Sequence, residues 1–118
     1  MPPRPESPRL APDAQAHVDT YHREIVDRVA AAVKADRVVV VGMAWNPSVG
    51  RVRKALEAAG IPFTYIEHGN YLTGWRDRLA IKLWSGWPTF PQVYFEGTLL
   101  GGNELTQAAI AAGTIGKP

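Results

Sequence analysis

Asn46, Pro47 and Ser48 sit between an unbroken β-branched run, Val38 to Val41, and a stretch with helical spacing, Val49, Val52, Leu56 and Ala59. An amide, a ring that presets φ and a hydroxyl at a strand-to-helix junction can do two things. Asn46 can cap the helix, because its side-chain oxygen accepts from orphan backbone N–H groups while Pro47 takes the first helical position. The same amide can also hydrogen-bond a ligand brought to that helix start. It has no ionisable proton, so it is no nucleophile. The 118 residues contain no cysteine, which excludes disulfides, thiolate metal sites and any redox or nucleophilic thiol supplied by the chain. Arg51, Arg53 and Lys54 crowd the first turns after Asn46, where the helix dipole disfavours cations; they read as a solvated face or as groups held for use. His17, His22 and His68 have no partner at metal-ligand spacing, so no metal site is expected.

The elements that must position these groups follow from pattern. The first dozen residues, 1–12, are proline-studded and read as a flexible tail, leaving 13–118 as one domain. From Asp13 the apolar positions Val18, Tyr21, Ile25, Val29 and Val33 predict one helix ending near Lys34 to Asp36. Val38 to Val41 has the continuous apolar character of a strand covered on both faces and belongs at the centre of a sheet. The helix begun at Asn46 closes at Gly60, and Pro62 to Glu67 predicts a second strand, parallel to the first across a right-handed crossover. Thr73 or Gly74 opens a helix carrying Trp75, Leu79 and Leu83, stopped by Gly86 and Pro88. Pro91 to Phe95, a turn at Glu96-Gly97, and Thr98 to Gly102 predict a hairpin. Asn103 then caps a short helix through Ala112.

Composition narrows the partners. The formal net charge is +2 and the sequence pI about 9.2, too small an excess of cations to predict nucleic-acid binding. No apolar run approaches the roughly 18 residues of a spanning helix, and the opening residues lack the apolar segment of a secretory signal. No membrane contact and a cytoplasmic location are the expectation. Trp75, Trp84 and Trp87 gather around one helix and its exit, where they read as core or as an interface.

The segment Ile81 to Leu105 resembles the monothiol glutaredoxin pattern W-P-T-x-P-Q-V-Y, a two-residue turn and a Gly-Gly pair, through Trp87, Pro88, Thr89, Pro91, Gln92, Gly97, Gly101 and Gly102. The resemblance implies an α/β thioredoxin-like (glutaredoxin) fold, a four-stranded mixed sheet with helices on both faces, and Pro91 as its cis-proline. It also places the loop. Where dithiol members carry a lysine and C-P-Y-C, this chain has Met43, Trp45, Asn46, Pro47, Ser48 and Val49, with Asn46 in place of the nucleophilic cysteine. No catalytic residue is therefore expected.

What the resemblance leaves is a binding groove. In the family, glutathione pairs its cysteinyl backbone with the residue before the cis-proline, here Phe90. Its γ-glutamyl carboxylate meets the start of the last helix, here Gly102, Asn103 and Glu104, and its glycyl carboxylate meets basic residues matching Arg78 and Lys82. The reading is a redox-inactive binding or regulatory protein holding glutathione or a related thiol peptide, with glutathione as the only candidate cofactor. A second reading is a protein adaptor with a vestigial groove and a partner surface near Trp75 and Arg51. A third is a glutathione-dependent enzyme or iron-sulfur protein that uses only ligand-supplied sulfur.

Overall fold

The computed structural model describes residues 4–116. Residues 4–11 carry no regular structure and are exposed, and a proline then starts helix α1, Pro12–Thr20; the part of the predicted tail and domain at 1–3 and 117–118 lies outside the described residues. The single first helix expected from periodicity is instead two. His22 adopts a left-handed conformation, φ 44°, and α2 runs from Arg23 to Ala35. The break has a physical basis in burial: α1 buries no residue, whereas α2 buries Val29 and Val33. Only the second half of the stripe meets the core.

Strand β1, Val38–Gly42, is buried along its whole length, as a central strand must be. Helix α3, Pro47–Ala58, connects it to β2, Thr64–Glu67, a strand two residues shorter than expected because Pro62 has no N–H to give to a ladder. Helix α4 spans Trp75–Ser85. The hairpin follows, β3 Gln92–Phe95 and β4 Thr98–Gly101, and then α5, Asn103–Ala111. The sheet order is β2-β1-β3-β4, with β1 and β2 parallel and the other pairs antiparallel.

Alternation along β1 divides the core in two. Val39 and Val41 pack with Val29, Ile81 and Tyr94 under α2 and α4. Val38 and Val40 face the other way, to Val52, Leu56 and Ile115. Helices therefore cover both faces, and β1 delivers its end, Gly42, and the following Met43 to one rim of the sheet.

Candidate functional site

At that rim α3 begins. The Asn46 side-chain oxygen accepts from Ser48 N at 2.9 Å and Val49 N at 3.1 Å, with Pro47 first in the helix. The cap is complete: the amide that fills the position of interest is committed to its own helix. Trp45, just before it, stands at φ 67° and is 64% exposed, a backbone state that bulky L-residues rarely adopt. Met43 goes the other way, buried with Val41 and Phe90. Its thioether fills core space that a cation at this position would have to leave.

Phe90 and Pro91 form the opposite wall, joined by a cis peptide bond. Behind them, the buried Gln92 donates to the Trp87 carbonyl at 3.0 Å and accepts from the Tyr94 hydroxyl at 2.8 Å. Burial raises the Tyr94 pKa to about 12, so the hydroxyl keeps the proton that this bond needs. Trp87 is thereby fixed with its indole N–H buried and without a partner among the described residues. The chain returns past it at Gly101 and Gly102. Gly101 has φ 128°, and a Cβ there would press on Leu105; at Gly102 a Cβ would stand 3.5 Å from the Pro91 carbonyl.

The last helix departs from expectation in a way that matters for chemistry. Gly102, not Asn103, is the residue before α5, and among the described residues no side chain caps that end. Asn103 lies inside the helix, its side-chain oxygen taken by Gln107 Nε2 at 2.8 Å. The first N–H groups of α5 are left for a ligand or water. A cavity of about 480 Å³ opens between this helix start and the wall, lined by Ser48, Arg51, Trp87, Thr89, Phe90, Pro91 and the first residues of α5, Gly102 to Leu105. Met43, Trp45, Asn46 and Pro47 line a second, smaller recess of about 260 Å³ beside Arg53 and Tyr65. There the Arg53 guanidinium lies 3.9 Å from the Tyr65 ring centroid, and desolvation, then the Glu67 hydrogen bond, pushes Tyr65 up to about 12.

The two cations assigned to a carboxylate separate. Lys82 keeps company with the groove, its ammonium 5.7 Å from the Phe90 ring centroid. Arg78 does not. It is 8% exposed, and its Nη1 donates to the carbonyls of His68 at 3.0 Å and Thr73 at 2.7 Å. It ties down the 68–74 loop, where a Cβ on Gly69 would collide with the Thr73 carbonyl, and it is a poor candidate for an open anion clamp. Arg51, read from sequence as a crowded helix charge, is the cation that lines the larger cavity. Its signal was the unfavourable placement near a helix start. The pKa of His68 is lowered, chiefly by burial.

Comparison with known proteins fits this geometry. The family model described as glutaredoxin matches residues 38–100. A glutaredoxin-like protein of Dictyostelium discoideum is 43% identical over 98 residues, covering 83% of this chain and 80% of that protein. Monothiol glutaredoxin-S17 of Arabidopsis thaliana is 31% identical over 101 residues, 81% of this chain but 20% of a much longer protein. Among solved structures, oxidized glutaredoxin 2 from Chlamydomonas reinhardtii superposes with a TM-score of 0.67 at 26% identity, covering 79% of this chain and 88% of that one. A buckwheat glutaredoxin-glutathione complex gives 0.69 at 19% identity, over 82% and 88%, a likeness of fold.

Proposed function

We propose a ligand-holding role without redox turnover for this chain, which belongs to the glutaredoxin family and carries no cysteine. The ligand is glutathione or a related γ-glutamyl thiol peptide, and the role is binding or regulation. One observation carries the reading. The position that thiol chemistry needs is filled by an amide whose oxygen already accepts two N–H bonds, while the groove beside it keeps an unsealed helix start, an unpaired indole N–H and Arg51.

A mixed disulfide requires a thiolate on the protein to attack a sulfur, and nothing in the chain can supply one. The residues do not fit an iron-sulfur cluster either. Such clusters are held by thiolates or, less often, imidazoles, and residue 46 offers only an occupied amide oxygen. What remains is anion recognition. In this reading the first N–H groups of α5 take one carboxylate of the ligand, helped by the dipole. Phe90 offers its backbone to the middle of the peptide, and Lys82 reaches the far carboxylate by a charge-assisted bond. Arg51 adds positive potential over the near one.

Calorimetric titration with glutathione tests this, with glutathione dimethyl ester and an alanine-for-cysteine analogue alongside. Saturable binding of both acids, lost in the ester, is the expected result, because the anchors are carboxylates. Absence of saturation by about 10 mM glutathione, an affinity below about 3 kcal/mol, or equal binding of the ester, overturns the proposal.

A further inference from the structure

Helix α4 carries apolar residues on both of its sides. It buries Arg78, Ala80 and Ile81, yet Trp75 is 54% exposed, Leu79 37% and Leu83 49%. Residues four and eight apart fall within about 80° of one another around a helix and here form a row about 12 Å long. Its borders are cationic. Arg76, about 100° round from Trp75, lies with its guanidinium 4.5 Å from that indole centroid, and Lys82 sits on the other edge. The one acid of the helix, Asp77, is engaged away from the row by His22 Nδ1 at 3.0 Å. The loop leading into the helix adds exposed Tyr71 and Leu72, with Leu72 held by an N–H bond to the Asn70 side chain at 2.8 Å.

We propose that this face docks an acidic amphipathic helix of a protein partner. A straight apolar ridge of i, i+4, i+8 side chains is what a second helix packs along, ridge to groove. The charge selects its kind. The row is edged by Arg76 and Lys82, and the acids that approach it, Asp19 and Asp27 in the cavity beside Leu83, are held by Gln15 at 2.8 Å and by Arg23 at 2.9 Å; along Trp75 and Leu79 the complementary potential comes from a helix whose Leu-type stripe is bordered by Glu or Asp. A second copy of α4 is a poor occupant, because it would set cation against cation. The surface lies outside both cavities near Asn46; it shares Lys82 with the glutathione reading, and Trp75, Leu79, Leu83 and Arg76 carry the inference without it.

An NMR titration of the full ¹⁵N-labelled chain tests it with a synthetic amidated 18-residue peptide carrying Leu at i, i+3, i+4 and i+7 and Glu on the flanks. Controls are the same peptide with every Glu changed to Lys, and one with the Glu and Leu order scrambled. Expected are saturating shifts over residues 75–83 that weaken as salt rises. Leu79→Glu should weaken binding at least about tenfold and Arg76→Glu severalfold, both with the circular-dichroism spectrum of the folded parent, and Arg76→Glu, at an exposed residue, with an unchanged melt. No saturation at millimolar peptide, equal binding of either control, or an unaffected Leu79→Glu variant overturns the proposal. So does a dimer in sedimentation that Leu79→Glu dissolves, which assigns the face to a second copy. Binding to phosphatidylglycerol vesicles in place of the peptide assigns it to a membrane and overturns it equally.

Discussion

Replacing Asn46 by alanine removes one acceptor and leaves two donors. The Ser48 N–H, at 2.9 Å, is at a half-buried residue and can recover a water; the Val49 N–H, at 3.1 Å, belongs to a buried residue and recovers one less readily. Losing a side-chain N-cap costs about 1 kcal/mol on average and up to about 2 when the freed groups are shielded. For Asn46→Ala we expect about 1.5 kcal/mol, which in a domain of this size lowers Tm by roughly 4 to 8 °C. Asn46→Asp keeps an acceptor in the same place and puts an anion at the positive end of α3, worth about 0.3 to 1 kcal/mol. It should match or exceed the parent at neutral pH and lose that advantage as the carboxylate is protonated. Urea unfolding followed by tryptophan fluorescence measures all three. If Asn46→Ala lies within about 0.3 kcal/mol of the parent, or Asn46→Asp is as unstable as the alanine variant, the cap is not what holds this position and the argument from a committed amide fails.

Asn46→Cys places a thiol at the same helix start, and alkylation rate against pH should give a pKa below the ~8.5 of a free thiol; an unshifted midpoint refutes the helix-start geometry. Arg78→Ala should cost about 2 to 4 kcal/mol through two lost charge-assisted bonds to carbonyls, whereas Lys82→Ala should leave Tm nearly unchanged and weaken glutathione binding by about 1 to 2 kcal/mol; the reverse pattern in melting and calorimetry would return Arg78 to the groove. Burial lowers the His68 pKa from 6.5, so its contribution is complete above that value and lost as pH falls through the folded pKa. His68→Gln should therefore flatten the dependence of the urea midpoint on pH below about 6.5, and an unaltered slope counts against it.

Legibility in the sequence tracked how local each cause is. The Asn46-Pro47 cap, the Glu96-Gly97 turn and the apolar run of β1 are decided by neighbours in the chain, and they stand where residue type puts them. The break at His22 was hidden because the apolar spacing from Val18 to Val33 runs straight through it, and neither Tyr21 nor His22 is a breaker. The two halves differ in burial, none in α1 and Val29 and Val33 in α2, and spacing alone does not show that. Asn103 illustrates sensitivity to a single residue: shifting the boundary by one turns a sealed helix end into an open one. Arg78 and Leu79 exchange the sides their types suggest, because a loop of backbone carbonyls at 68–74 needed a donor, and no pattern within α4 encodes that need.

Two helices open toward the same rim, and they differ in what can disturb them. The start of α5 has no side-chain cap among the described residues and is open to an anion, while the start of α3 is latched by a group with no oxidation states and no proton to lose near neutrality. Peroxide, a shift in thiol poise or a mild change of pH finds no reactive atom at Asn46. Where a cysteine would make the rim a sensor whose state depends on recent chemical history, the amide makes it a fixture; under the proposed function its occupancy would follow ligand abundance alone.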